Sequence, residues 1–175
     1  MSSSPQILYT HTISNNAWCM AIYTHEKDLN PEVKEVNILT GDTKTPEFLA
    51  INPRGQIPVW QDGDIIIVES LAIMMYLEAQ HHNNPLIPTK PEDYALFLSR
   101  YFQFLAKLDN TNTTGSVMGG KTKEDLKDRI DTLMSELKFW DAALEGREYL
   151  ANPSPWPTLP SSPSLPPMLS PLAWI

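Results

Sequence analysis

One segment in the first half of the chain constrains the fold more than any other. The stretch Asn52–Leu77, NPRGQIPVWQDGDIIIVESLAIMMYL, has the pattern of a tight turn, two short strands joined by a hairpin, and a helix. Gly55 can supply the positive φ that a tight turn requires. Pro58 opens the first strand, and a cis bond before it would leave the amide and the carbonyl of Ile57 facing outward, free for a ligand.

The end of this segment predicts a site for carboxylates. Glu69 and Ser70 lie where the helix Leu71–Ala79 is expected to begin. A helix N-terminus carries partial positive charge and unpaired amides, and it therefore attracts anionic groups. Taken alone, the same two residues are also typical of an ordinary helix cap.

The first half of the chain predicts the element order β-α-β-α-β-β-α. Apolar residues that alternate with polar ones indicate strands, and capping residues and prolines mark the starts of helices. This order favours a small mixed sheet with helices on both faces. The predicted strands are Gln6–Thr10, Val33–Leu39, Val59–Trp60 and Ile65–Val68, and the predicted helices are Ala17–Lys27, Thr45–Ala50 and Leu71–Ala79.

The second half of the chain is predicted to be helical. Residues 81–90 combine prolines and asparagines, which indicates a linker. Aromatic and aliphatic residues then recur at helical spacing, which predicts helices over Pro91–Asp109 and Thr122–Leu144, the second one capped by Thr122. We therefore expect one domain over residues 1–82 and a second over residues 91–150.

Residues 151–175 have a different composition. They contain half of the chain's 16 prolines and no charged residue, yet they keep several large apolar side chains. Prolines at this density prevent a helix, and an uncharged apolar sequence is unusual for a solvated linker. This tail is therefore unlike the domain that precedes it.

The stretch Asn52–Leu77 resembles the glutathione-binding half of the thioredoxin-like domain of glutathione S-transferases. The Asn-Pro-Arg-Gly-Gln turn, the following Ile-Pro, the Asp-Gly-Asp hairpin and the Glu-Ser helix start occur in the order of that family. The resemblance extends from about Gln6 to Leu150 and is greatest to the rho, theta and zeta classes. It implies an α/β thioredoxin-like N-terminal domain followed by an all-α C-terminal domain, here truncated.

The resemblance implies that Ser14 is the catalytic residue. In the theta, zeta and rho pattern, a serine hydroxyl in this loop donates a hydrogen bond to the glutathione thiolate, and this lowers the thiol pKa because it favours the charged form. Tyr9 lies at the strand end where other classes place a tyrosine, so it is the alternative donor, and Thr12 is a third. From the residues alone, a helix cap at Ser14 is the simpler interpretation.

The resemblance also implies how the rest of glutathione is held. The backbone of Ile57 would pair with the cysteinyl part, while Ser70 and the helix start take the γ-glutamyl carboxylate and Glu69 assists with the ammonium. Lysine and glutamine side chains before Ile57 are candidates for the glycyl carboxylate. The implied glutathione-binding residues are Lys44, Gln56, Ile57, Pro58, Glu69 and Ser70.

Other chemistries have less support in the sequence. Cys19 lies inside the first predicted helix, beyond the loop, so a packed thiol is a simpler interpretation than a redox nucleophile. The pair His81–His82 lacks companion ligands at metal spacing, and we expect no metal. A net charge of −8 argues against a nucleic-acid surface. We expect no membrane span, because no run of about 18 apolar residues occurs, and a cytoplasmic location, because no signal pattern is present.

The function implied by the resemblance is conjugation of the glutathione thiolate to a hydrophobic electrophile by a homodimer. The alternative is a non-catalytic module that binds glutathione or a protein. Activity and retention on immobilised glutathione distinguish the two.

The tail permits a reading in another frame. If each codon for Ser154–Pro163 is read one base early, the bases at Trp156–Pro157 can encode only alanine. The other shifted codons allow the peptide Ser-Leu-Ala-Asp-Val-Ala-Phe-Phe-Pro, which resembles the start of the family's next helix. We therefore expect residues 151–175 to be an out-of-frame end and this chain to be weakly active or inactive. The alternative is a genuine interaction tail, although proline-rich ligands of SH3-like domains usually carry basic residues and this tail has none.

Overall fold

The computed structural model describes residues 5–111, 113–146 and 150, apart from the side chains of residues 110, 114 and 118. The chain divides between Leu86 and Ile87 into two compact units. The expected out-of-frame end, residues 151–175, lies outside the described residues. No helix in the described ranges is both long enough and apolar enough to cross a membrane.

Four strands form one mixed sheet in the first unit. They are β1 (Gln6–Thr10), β2 (Glu32–Glu35), β3 (Val59–Asp62) and β4 (Ile65–Val68), in the spatial order β2-β1-β3-β4. Strand β1 is parallel to β2 and antiparallel to β3, and β3 and β4 form an antiparallel hairpin. The mixed sheet expected from the sequence is therefore present.

Strand β2 is shorter than predicted, because it ends at Glu35 rather than Leu39. Val36 is buried and still donates its N–H to the end of β1 at 2.8 Å. Beyond it, the Asp42 carboxylate accepts the Asn37 N–H at 3.1 Å, and the Asn37 side chain accepts the Leu39 N–H at 2.9 Å. These side-chain bonds bend the backbone into a turn and end the strand.

Three α-helices belong to the first unit: α1 (Asn15–Glu26), α2 (Pro46–Ile51) and α3 (Ser70–Gln80). Helix α1 begins before the predicted Ala17, because Ser14 is its N-cap and accepts the Ala17 N–H at 3.3 Å. Thr45 caps α2 as predicted, accepting the Phe48 N–H at 3.3 Å. A short 3₁₀ turn, Asp42–Lys44, leads into α2.

The sheet buries apolar side chains on both faces. Tyr9 and Val59 are paired in register and belong to one cluster with Phe48 of α2. Leu8 and Trp60, the adjacent pair, are also buried. Because successive residues of a strand point to opposite faces, this second pair lies on the other side of the sheet.

A buried charge cluster joins the C-terminal ends of α1 and α3 to the segment that follows α3. The Lys27 side chain is fully buried, and its ammonium lies 3.2 Å from the Glu78 carboxylate. It also donates to the backbone carbonyls of residues 81, 83 and 84, at 2.7, 3.1 and 3.0 Å. The same carboxylate oxygen accepts the Tyr23 hydroxyl at 2.8 Å and the Leu86 N–H at 3.0 Å. Both charges are therefore paired, as burial of charge requires.

The second unit is helical over its described residues, with α4 (Pro91–Gln103), a short α5 (Thr114–Met118) and α6 (Lys127–Leu144). The predicted helix Pro91–Asp109 is not α-helical throughout. Its backbone continues from α4 as a π-helical turn over Phe104–Leu108 and then as a 3₁₀ turn over Asp109–Thr111. Tyr101 and Leu108 are buried, so the predicted apolar stripe does face inward at these positions.

Helix α6 begins later than the predicted Thr122. Thr122 and Asp125 do form the reciprocal bonds of a capping box, with N···O distances of 2.8 and 3.2 Å. Leu126, at φ −110° and ψ 7°, leaves the helical conformation, so the regular helix starts only at Lys127. Trp140 of α6 is fully buried in a cluster with Leu108 and Leu150.

Candidate functional site

Three segments that are distant in the sequence meet at one end of the sheet. The register pairs Val59, the first residue of β3, with the last residue of β4 and with the residue before the end of β1. The end of β1, the start of β3 and the end of β4 therefore lie side by side. The loop that carries Ser14 follows β1, Ile57 precedes β3, and Glu69 follows β4. The sheet thus brings the predicted thiolate donor and two predicted ligand-binding residues to the same end.

Ser14 is half-buried at the N-terminus of α1, with an extended backbone at φ −88° and ψ 122°. Its hydroxyl oxygen accepts the Ala17 N–H at 3.3 Å. A hydroxyl that accepts one hydrogen bond keeps its own hydrogen to donate. The two interpretations weighed from the sequence are therefore compatible, because a helix cap at this position can still donate to a thiolate near the positive end of α1.

The alternative donor, Tyr9, is engaged within the sheet. Its ring lies in the buried cluster, 6.1 Å from the ring of Phe48 between centroids. Its hydroxyl donates to the side-chain oxygen of Gln61 at 2.7 Å. A hydroxyl has one hydrogen, so Tyr9 would have to break this bond to serve a thiolate. The geometry favours Ser14 over Tyr9 as the donor.

The Ile57–Pro58 peptide bond is cis, the conformation that the sequence allowed. Pro58, directly before β3, is buried, and Ile57 before it is half-buried. Among the described residues, neither the amide nor the carbonyl of Ile57 has a hydrogen-bond partner. An amide and a carbonyl left open beside a sheet can bind the backbone of an extended peptide as an added strand would.

Glu69 has a backbone conformation that is rare for a residue other than glycine, with φ 71° and ψ 120°. Its carbonyl accepts the Ile73 N–H at 3.0 Å and so starts α3, whose first residue, Ser70, is buried. Strained backbone of this kind concentrates at ligand-binding sites. The amides of the first turn of α3 lie directly after it, at the positive end of the helix.

Lys44 and Gln56 are brought together at the turn before β3. The Lys44 ammonium donates to the carbonyls of Arg54 and Gly55, at 3.2 and 3.1 Å. Gly55 has φ +60°, and a Cβ there would lie only 2.6 Å from the Lys44 Nζ. Glycine at this position therefore lets the lysine fold over the turn, and the exposed Gln56 follows directly.

Sequence reasoning missed two residues that shape the loops of the site. Asn52 is buried, and its side chain both accepts the Arg54 N–H at 3.1 Å and donates to the Gln56 carbonyl at 2.8 Å. Asparagine at the start of a turn is typical of such a bond, so the sequence does carry this signal. Trp18 donates its indole N–H to the Thr12 carbonyl, and no spacing pattern reveals that contact.

Cys19 lies inside α1, as predicted, and does not have the environment of a nucleophile. Burial raises the pKa of its thiol to about 12, although part of the residue remains exposed. The thiol therefore stays protonated near neutral pH, and the thiolate is the reactive form. In the part of the chain that the structure describes, no group of three or more His, Cys, Asp or Glu side chains is arranged to hold a metal ion.

Comparison with known proteins matches this chain to glutathione S-transferases. The family model described as "Glutathione S-transferase, N-terminal domain" matches residues 4–79. Glutathione S-transferase 1 of Dianthus caryophyllus is 46% identical over 89 residues, which are 51% of this chain and 40% of that protein. A zeta-class glutathione S-transferase of Euphorbia esula is 41% identical over 81 residues, which are 46% of this chain and 36% of that protein.

Similarity to solved structures extends further along the chain. A glutathione transferase of Bombyx mori superimposes with a TM-score of 0.78 and 25% identity, over 86% of this chain and 71% of that one. A glutathione transferase homologue of Drosophila mojavensis, solved with bound glutathione, superimposes with a TM-score of 0.77 and 25% identity, over 84% of this chain and 69% of that one. The sequence matches to the two plant proteins span about two fifths of the length of those proteins.

Proposed function

We propose that this chain, whose residues 4–79 match the N-terminal domain of the glutathione S-transferase family, binds glutathione at the end of its sheet and conjugates the glutathione thiolate to a hydrophobic electrophile. The resemblance seen in the sequence and the thioredoxin-like fold that it implied are confirmed by these matches. The roles of individual residues and the reaction are the content of the proposal.

The observation that carries the proposal is the spacing of the three segments at the sheet end. They follow or precede β1, β3 and β4, which are consecutive in the sheet, and neighbouring strands lie about 4.8 Å apart. Two such steps make about 10 Å, which is also the reach of three extended residues. A tripeptide laid across the strand ends can therefore contact all three segments at once.

In this proposal, each of the three segments holds one part of glutathione. The central segment offers the open amide and carbonyl of Ile57 to the cysteinyl backbone. On one side, the Ser14 hydroxyl donates to the thiolate, and on the other, Glu69 and Ser70 hold the γ-glutamyl ammonium and carboxylate at the start of α3. Lys44, with the exposed Gln56, supplies the charge for the glycyl carboxylate.

The reaction follows from the protonation state of the thiol. A free thiol has a pKa of about 8.5, so most of it is protonated at pH 7. A hydrogen bond to a charged group contributes about 1.5–3 kcal/mol, and each pKa unit corresponds to about 1.4 kcal/mol. The Ser14 hydroxyl can therefore lower the thiol pKa by about 1–2 units, and the thiolate then attacks an electrophilic carbon and displaces its leaving group.

The test is a titration of glutathione bound to the Ser14→Ala variant, followed by the ultraviolet absorbance of the thiolate. We expect the pKa of the bound thiol to rise by about 1–2 units, while glutathione is still retained on an affinity resin. Tyr9→Phe and Thr12→Ala are the controls, and neither should shift this pKa. A shift in Tyr9→Phe with none in Ser14→Ala would move the catalytic role to Tyr9 and contradict the assignment.

Turnover separates the enzyme from the alternative of a binding module. Conjugation of a chloronitrobenzene supports the transferase, whereas retention of glutathione without turnover supports a non-catalytic module. We propose a hydrophobic electrophile as second substrate, a homodimer as the assembly, a cytoplasmic location and a role in detoxification. We also propose that this chain is weakly active or inactive, as expected if residues 151–175 are an out-of-frame end.

A further inference from the structure

We infer that Trp18 is a positioning residue, which holds the loop before α1 so that the Ser14 hydroxyl faces the thiol. This inference rests on the proposed role of Ser14. It concerns a residue that neither the sequence pattern nor the chemistry of the reaction singles out.

Trp18 contacts the loop twice. Its backbone N–H donates to the Ser14 carbonyl at 3.0 Å, as the first turn of a helix requires. Its indole N–H reaches back over that turn and donates to the Thr12 carbonyl. Trp18 therefore contacts the loop on both sides of Ile13, through its side chain at Thr12 and through its backbone at Ser14.

The other hydrogen bonds of the loop are accepted by His11, which is buried directly after β1. The His11 carbonyl accepts the Ser14 N–H at 3.0 Å, and its imidazole Nδ1 accepts the Ile13 N–H at 3.3 Å. These bonds hold the loop from the strand side, whereas Trp18 holds it from the helix side. Ser14 lies between these two sets of contacts, so the position of its backbone, and with it that of the hydroxyl, depends on both.

The exposure of Trp18 argues against a role in packing. Its surface is 44% exposed, whereas Trp60 and Trp140 are fully buried in the two units. An aromatic side chain that remains half in water contributes much less to the hydrophobic core than a buried one. Loss of the indole N–H should therefore disturb the placement of the loop more than the stability of the fold, because water can satisfy the freed carbonyl.

The experiment is a double-mutant cycle between Trp18→Phe and Ser14→Ala, read as the pKa of the bound glutathione thiol. Phenylalanine keeps an aromatic ring but lacks the N–H donor, and its ring is smaller than the indole. We expect Trp18→Phe to raise this pKa by about 0.5 unit or more in the natural background, since part of the stabilising bond to the thiolate is lost. In the Ser14→Ala background the same substitution should have no effect, because no hydroxyl remains to be positioned.

Ile13→Ala is the matched control. Ile13 is an exposed apolar residue of the same loop, and its side chain makes no hydrogen bond, so the thiol pKa should not change. The urea midpoint of Trp18→Phe should stay at the natural value, which excludes general loosening of the fold. An equal pKa shift in both backgrounds, or none in the natural one, would overturn the inference about Trp18. A Ser14→Ala variant with an unchanged thiol pKa would instead overturn the proposed function, and the inference with it.

Discussion

Replacing Lys27 with methionine should destabilise the protein by about 3–5 kcal/mol, the usual cost of removing one partner from a buried ion pair. The Lys27 side chain is fully buried and that of Glu78 is 14% exposed, so little water can take the place of the ammonium. Three backbone carbonyls lose their donor at the same time. The loss is a large part of the total free energy of unfolding, which is about 5–15 kcal/mol for a domain.

Urea unfolding followed by circular dichroism measures this loss. In a thermal scan, about 2–4 °C per kcal/mol for a chain of this length predicts a fall in Tm of at least about 6 °C. The double variant Lys27→Met/Glu78→Gln should regain part of the stability, because it leaves no uncompensated charge and keeps an oxygen that accepts from Tyr23 and Leu86.

The control is Lys127→Met, which removes an ion pair of shorter distance in an exposed setting. Lys127 lies 2.7 Å from Asp131, but the two side chains are 63% and 64% exposed. Water and salt screen such a pair, so the unfolding midpoint should not move measurably. The reasoning about burial would be refuted if Lys27→Met cost no more than about 1 kcal/mol, the usual upper value for an exposed pair.

Three further predictions follow from the first unit. Gly55→Ala should weaken both folding and glutathione retention more than Gly41→Ala, and comparison of the two urea midpoints tests this. Both glycines have positive φ, but a Cβ at Gly55 would lie 2.6 Å from the backbone oxygen of Thr43 and from the Lys44 Nζ, whereas one at Gly41 would meet no atom within 4 Å. Cys19→Ala should retain full conjugating activity, and the natural thiol should react slowly with a disulfide reagent at neutral pH, because burial raises its pKa to about 12. Burial also raises the pKa of Tyr23 above its ordinary value of about 10. Its contribution to stability is thus complete below about pH 10 and is lost as the pH rises further, and alkaline unfolding of Tyr23→Phe should lack this loss.

Much of the first unit could be predicted because local chemistry and tertiary structure agree there. Thr45 and Pro46 mark the start of α2 by capping and by fixed φ, and Gly63 marks the hairpin between β3 and β4. The cis bond before Pro58 was allowed by the sequence, since proline is the residue that tolerates it. At these positions the residue type restricts the backbone to a few conformations.

The errors arose where side-chain bonds or local backbone geometry override a periodic pattern. The alternation through Leu39 predicted a longer β2, but bonds from Asp42 and Asn37 turn the chain earlier. The capping box at Thr122 is present, yet Leu126 leaves the helical conformation and delays α6. No periodicity carries information of this kind.

The candidate site could be predicted only in part. The resemblance to a family predicted that Ser14, Ile57 and Glu69 belong to the site, and it predicted their order along the chain. The bond from Trp18 to the loop and the rare backbone conformation of Glu69 were not, because both depend on where atoms lie after folding. These roles remain predictions until the variants described above are measured.

The tight hairpin between β3 and β4 has a consequence for how the family can vary. Its register helps to set how far Glu69 lies from Ile57, because the two residues flank strands that are hydrogen-bonded to each other. Inserting one residue beside Gly63 without a compensating bulge would slide β4 by about 3.3 Å and turn every side chain of that strand to the opposite face. A change in the length of this hairpin is therefore also a change in what the molecule can hold.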